Sequence, residues 1–262
     1  SQISSIYFQA YQLAYDMGKR AEKSYQKEIG SHASFVEFGY WDSLKKGLLS
    51  ADKLSFDIRR MQAAYLEQNK RELEITKHVS LANLAPEKLM ELKLTGSCIF
   101  DIEEWMYNLD YPGHYRRRIK AVSVTVLCDA DEFTNINCSL TLLDSEIRTT
   151  GVLGIEGYEK IENDTRFTEF SGKGQAIATS FCEDDSGLFN LKFDDDRFLP
   201  FEGEGAISSW DIQMPVQNNQ FDFNKISDFV MHISYTASEG GETLAGPART
   251  DLAAKLSGSR TL

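Results

Sequence analysis

Apolar positions in the first part of the chain recur at helical spacing. Ile3, Ile6, Ala10, Leu13 and Met17 lie three or four residues apart, the stripe of an amphipathic helix running from about Ile3 to Glu28 and stopping near Gly30. A second stripe is formed by Leu44, Leu48, Leu54, Ile58, Met61 and Tyr65. It predicts a helix that starts near Asp42 or Ser43, either of which can cap it, and runs to about Thr76. Residues 31–40 are read as the loop between the two. Long helices with one stripe each predict an antiparallel hairpin whose remaining apolar surface needs a partner. The first stripe begins with the first residues, so the chain reads as a piece of a longer protein.

After Val79 the texture changes. Ala85-Pro86 suits the first turn of a short helix over Glu87 to Leu94, ended by Gly96, and Asp101 is placed to cap another over Ile102 to Leu109. Pro112-Gly113 marks a turn. Beyond it the period becomes two: Val122, Val124 and Val126; Ile136, Cys138, Leu140 and Leu142; Phe189, Leu191 and Phe193; Trp210, Ile212 and Met214; Phe229, Met231, Ile233 and Tyr235. A further strand is expected over Ile177 to Phe181. Each has one wet face, the pattern of antiparallel sheets packed as a sandwich or partial barrel. Residues 149–174 are polar and glycine-rich and read as a long excursion. In the small, polar tail after Ser238, Pro247 could open a weak helix over Arg249 to Leu256. The fold class expected is α+β: a helical hairpin followed by an antiparallel β-sandwich-like domain with short helices.

Charge refines this division. The net charge is -12, which argues against nucleic acid as the partner. Residues 1–80 hold 12 Lys+Arg against 10 Asp+Glu, whereas residues 81–262 hold 16 against 30, so the strand half alone carries -14. Such a field keeps a surface soluble and can also steer a basic partner. No apolar run approaches the roughly 20 residues of a membrane-spanning helix.

Candidate chemistry is sparse. Cys98, Cys128, Cys138 and Cys182 form no CxxC pair and read as buried thiols. The imidazoles His32, His78, His114 and His232 are scattered, and no GxSxG, HExxH or Walker A pattern occurs. Ser171-Gly-Lys-Gly174 leads into a strand rather than a helix, which disfavours phosphate binding. The runs Glu183 to Asp185 and Asp194 to Asp196 lack calcium-loop spacing and read as solvated turns. The Arg116-Arg117-Arg118 run, with Lys120, reads as an exposed strand entrance that neutralises nearby carboxylates. Asn137 and Asn163 head weak glycosylation patterns. No catalytic, metal or cofactor residue is assigned, and no enzymatic activity is expected.

Several stretches together carry a family resemblance. They are Phe38 to Leu49, Ala64 to Glu72, Thr76 to Leu81, Leu109-Asp-Tyr-Pro-Gly-His-Tyr115, Arg117-Arg-Ile-Lys120, Asp185-Ser-Gly-Leu-Phe189 and Leu199-Pro-Phe-Glu-Gly203. In this order they resemble the carboxyl end of the A component of bacterial tripartite insecticidal toxin complexes (Tc toxins), over roughly residues 3–240. The resemblance implies a piece of a very large subunit that forms a pentameric helical translocation channel and docks the B component, whose propeller gates a cocoon for the toxic cargo. Residues 1–80 then correspond to the end of the channel-forming domain, 81–240 to the B-binding domain, and 241–262 to a tail. The partners implied are the B component and, in the full-length protein, the pentamer. Membrane contact falls to parts of the chain outside this piece, and the protein is expected to be secreted. No docking residue carries over individually. A stand-alone carbohydrate- or receptor-binding adhesin module is the alternative, disfavoured because Trp41, Trp105 and Trp210 sit in patterned, core-like positions.

Overall fold

Helices α1 (Gln2–Ile29) and α2 (Leu48–Gln68) pack against each other in a computed structural model that describes residues 2–29, 31–37, 39–40, 48–68, 72–129, 134–171, 177–184, 187–193 and 199–258. The chain divides into two units, Ser1–Arg71 and Glu72–Leu262.

In the first unit the seam that faces α2 is not the Ile/Leu/Met stripe. Tyr11, Gly18, Tyr25 and Ile29 face inward with Glu22 and the half-buried Tyr15, alternating by four and three, and meet Leu54, Ile58 and Met61 of α2 with Val36 and Tyr40 of the connection. Ile6, Leu13 and Met17 stay more than 60% exposed. The cause is a polar core. The buried Glu22 carboxylate accepts from the backbone N–H groups of Phe35 and Val36, both at 2.7 Å, and from Lys19 Nζ at 2.8 Å. Burial alone would raise its pKa, but these donors outweigh it and hold the carboxyl below its usual range. Asp57, fully buried on α2, accepts from Tyr40 Oη, Lys53 (3.3 Å) and Arg60 (3.1 Å). These two carboxylates tie the interhelical connection down from both helices. The expected extension of the second helix to Thr76 is corrected: α2 ends at Gln68, and the proposed caps at Asp42 and Ser43 lie outside the described residues.

Strand β1 (Leu73–Ser80) follows in the second unit. Lys77 and Val79 turn inward while Thr76 and His78 face out, a period of two that overrides the helical reading. Helices α3 (Leu81–Leu84) and α4 (Pro86–Thr95) come next, the latter ended by Gly96 in the left-handed conformation. The helix expected over Ile102 to Leu109 is present as the shorter α5 (Glu104–Asn108), while its expected cap, Asp101, lies inside strand β2 (Ser97–Ile102). The remaining strands are β3 (His114–Cys128), β4 (Thr134–Arg148), β5 (Phe167–Ser171), β6 (Ile177–Asp184), β7 (Leu188–Lys192), β8 (Ile207–Gln213) and β9 (Ile226–Glu239). The tail is helix α6 (Glu242–Gly258), longer than expected, with Pro247 inside it and Leu244, Ala245 and Ala248 buried.

All pairings are antiparallel. One sheet has the order β1-β9-β3-β7; the other is β2-β8-β4-β5, with β6 also pairing β4. Val122, Val124, Val126, Phe229, Met231 and Ile233 from the first sheet share one core with Phe100, Ile136, Leu140, Trp210 and Ile212 from the second. The second unit is therefore a β-sandwich with short helices at its margins, and the chain as a whole is α+β.

Candidate docking surface

The excursion between β4 and β5 is built as firmly as the sheets. Arg148, at the end of β4, is 2% exposed. Its guanidinium donates to Glu104 through Nε (2.8 Å) and Nη2 (2.7 Å), and Nη2 also donates to the Tyr158 carbonyl at 2.9 Å. It lies 4.2 Å from the ring centre of Tyr158 and 4.5 Å from that of Phe167. Asn108 Nδ2 donates to Tyr158 Oη at 2.7 Å, and Asn108 Oδ1 accepts from Arg117 Nη2 at 2.9 Å. Arg166 closes the loop by donating to the carbonyls of Gly157 and Glu159, both at 2.7 Å, and pairing with Asp164 at 2.6 Å. Those bonds to Arg166 hold the Asp164 carboxyl far below the usual carboxylate range. At the far end, Gly154 and Gly157 exchange N–H···O bonds of 3.0 and 3.1 Å across Ile155-Glu156. The excursion is thus a short hairpin finger pinned to the sandwich by buried arginines.

Beside it lies a groove of about 370 Å³ on the second sheet, bordered by Asp101, Glu103, Asp144, Glu146 and Glu169. Lys160 bridges Glu146 and Glu169 from the finger. The unpaired acids give this part of the unit a negative face, which sets the sign of a complementary surface.

The arginine run is corrected in place. Arg116 and Arg117 are buried rather than exposed, though all three do meet carboxylates: Arg116 and Arg118 reach Glu72 at 3.4 and 2.7 Å, and Arg117 lies 3.5 Å from Glu104. The register slips between Tyr115 and Arg118, so that β3 bulges against β9, and Arg116 takes φ 53° there. These cations are spent inside the fold and are not a surface patch for an acidic partner.

Of the imidazoles noted in the sequence, His78 and His232 meet across β1 and β9, their Nδ1 atoms 2.6 Å apart, while His232 Nε2 is 2.7 Å from Thr125 Oγ1. Burial, and then the neighbouring His78, push the pKa of His232 down. His114 is buried elsewhere, on β3, and burial followed by the Arg117 charge lowers its pKa. Cys98, Cys128 and Cys138 are buried free thiols; burial pushes the Cys98 thiol up to about 12. The side chain of Cys182, the glycines at 172 and 174, and the acidic run at 194–196 lie outside the described residues. Among the described residues, no three His, Cys, Asp or Glu side chains converge as a metal site would require, and no helix is long and apolar enough to cross a membrane. Asn137 is engaged, donating to the Asn218 carbonyl at 2.7 Å, whereas Asn163 sits exposed on the finger. Trp210 is buried with its indole N–H on Ser208 Oγ, Trp105 packs half-buried on the core, and Trp41 lies outside the described residues. Residues 149–174, expected as one long excursion, are an excursion only over 149–166, because strand β5 begins at Phe167; the pairing of Gly154 with Gly157 and the burial of Tyr158 that give the excursion its built form are not part of that expectation.

Comparison with known proteins places this architecture. Residues 1–237 match the family described as the Tc toxin complex TcA C-terminal TcB-binding domain. The chain belongs to that family. Toxin subunit YenA2 of Yersinia entomophaga is 36% identical over 268 residues, an alignment that covers 97% of this chain and 19% of that protein. The chain thus spans about a fifth of the length of this relative. Among solved structures, Morganella morganii TcdA4 is similar with a TM-score of 0.52 and 23% identity, over 90% of this chain and 10% of that one. Yersinia pseudotuberculosis TcaA-TcaB is similar with a TM-score of 0.55 and 21% identity, over 91% and 14% respectively. At those identities the structural likenesses speak for a shared fold.

Proposed function

We propose that this chain is the part of a Tc toxin A subunit that docks the B component, and that the β-sandwich unit supplies the docking surface. The observation that carries the reading is the match of residues 1–237 to a family described by its TcB binding. Physical support comes from the -14 carried by residues 81–262, which would speed encounter with a basic surface. In this reading α1 and α2 are the last helices of the channel-forming part, and the exposed Ile6, Leu13 and Met17 seam is covered by neighbouring helices of a pentamer. The chain itself performs no catalysis, acts in a secreted toxin, and leaves membrane entry to other parts of the subunit.

The test is a titration of the cognate B component against the A subunit that contains this chain, with and without residues 115–236, at low and moderate salt. Saturable binding that needs those residues, with an association rate that falls as salt rises, is expected. Binding unchanged by the deletion would overturn the docking role. Salt-independent association would remove only its electrostatic part.

A further inference from the structure

The finger between β4 and β5 presents an apolar tip that its own fold does not use. Ile155 is 104% exposed, Val152 67% and Leu153 38%, while Tyr158 and Arg166 of the same excursion are buried. A single exposed isoleucine is ordinary. This one stands at the apex of a turn closed by two backbone hydrogen bonds and braced by Arg166, whose guanidinium packs so near Gly154 that a Cβ there would come within 2.7 Å. Tyr158 and Arg148 anchor its base. A tip held this firmly loses little conformational freedom on binding, so burying Ile155 would yield its transfer energy nearly undiminished.

The charge around the tip selects the occupant. Glu156, Glu159 and Glu162 are exposed beside it, and the nearby cation, Lys160, is engaged by Glu146 and Glu169. An anionic membrane would repel this rim. A second copy of the unit would bring the same acidic field, part of the -14 on residues 81–262. We infer that Ile155 is a docking knob that enters an apolar socket bordered by basic side chains on a protein partner. The inference rests on the docking role proposed above, which makes that partner the B component.

The experiment compares Ile155→Asp, Ile155→Leu and Leu188→Asp in the full A subunit that contains this chain. Leu188 is an exposed leucine on β7 of the first sheet, 43% exposed and away from the groove of the second sheet, and serves as control. Affinity for the cognate B component is measured by biolayer interferometry. Ile155→Asp is expected to weaken binding about 10- to 30-fold, the range of an apolar hot spot, with Ile155→Leu and Leu188→Asp near the unmutated protein. A photo-crosslinking residue in place of Ile155 should give a covalent adduct with the B component, a readout that does not depend on how well the aspartate variant folds. Unmutated binding that Ile155→Asp leaves intact, or the absence of an adduct, overturns the knob while leaving the docking role standing. Failure of the unmutated subunit to bind overturns the docking role and the knob with it. Flotation on phosphatidylserine vesicles that is lost in Ile155→Asp would overturn the choice of a protein partner.

Discussion

Replacing Gly113 by alanine should loosen helix α6 from the sandwich. Gly113 ends the turn that leads into β3 and has φ 83°. A Cβ built there would lie 2.5 Å from Ala245 Cα, 2.6 Å from Ala245 N and 2.8 Å from Ala245 Cβ. Backbone atoms of a helix cannot step aside as a side-chain tip can. Two costs therefore add: about 1–2 kcal/mol for a left-handed non-glycine residue, and about 1–3 kcal/mol for overpacking. Gly203 separates them. It has φ 81° but nothing within 4 Å of its Cβ position, so Gly203→Ala should carry the backbone cost alone. Urea unfolding of both variants, with hydrogen exchange of peptides covering α6 and β9, reads the difference. Gly113→Ala is expected to be the worse by about 1–3 kcal/mol, with exchange in α6 rising first. Costs within about 0.5 kcal/mol of each other would refute the reasoning that α6 is docked on this glycine.

Further outcomes follow from the same geometry. Arg148→Met should destabilise the second unit by about 3–5 kcal/mol, because it removes both short bonds to the Glu104 carboxylate and leaves it the 3.5 Å pairing with Arg117, and thermal unfolding reads it. The lowered pKa values of His114 and His232 mean that the unfolded chain binds more protons near the histidine range; the second unit should lose stability as pH falls from about 7 to 5, seen as a drop in urea midpoint. The first unit should hold until lower pH, since Glu22 and Asp57 have depressed pKa values and give up their contribution only as pH falls below about 4. Met17→Lys on the exposed seam should leave stability within about 0.5 kcal/mol while weakening self-association in sedimentation. A strictly monomeric unmutated chain at high concentration would count against that seam as an interface.

How much was legible in the sequence depended on where each element found its partners. β4, β7, β8, the later part of β3 from Val122 and the part of β9 from Phe229 are legible because each alternates between core and water. β1 was hidden by its position directly after a helical stripe, with no Gly or Pro to mark the change, and by a core-facing Lys77 that is satisfied 2.7 Å from Asp110. The wrong seam was chosen on α1 because hydropathy favours Ile6, Leu13 and Met17 over Gly18, Glu22 and Tyr25. Glu22 can be buried only because the connection supplies N–H donors, a tertiary fact that no periodicity carries. The excursion is legible in its polar, glycine-rich composition, but its bracing is hidden for the same reason: Arg148 and Glu104 stand 44 residues apart in the chain. Nothing local announces that the arginine is a core residue.

The docking claim is tested most directly by hydrogen exchange of the intact A subunit, free and bound to its cognate B component. New protection is expected within residues 72–258, strongest at the Ile155 finger and the neighbouring acidic groove. Protection confined to other parts of the subunit, with exchange in residues 72–258 unchanged on binding, would contradict it.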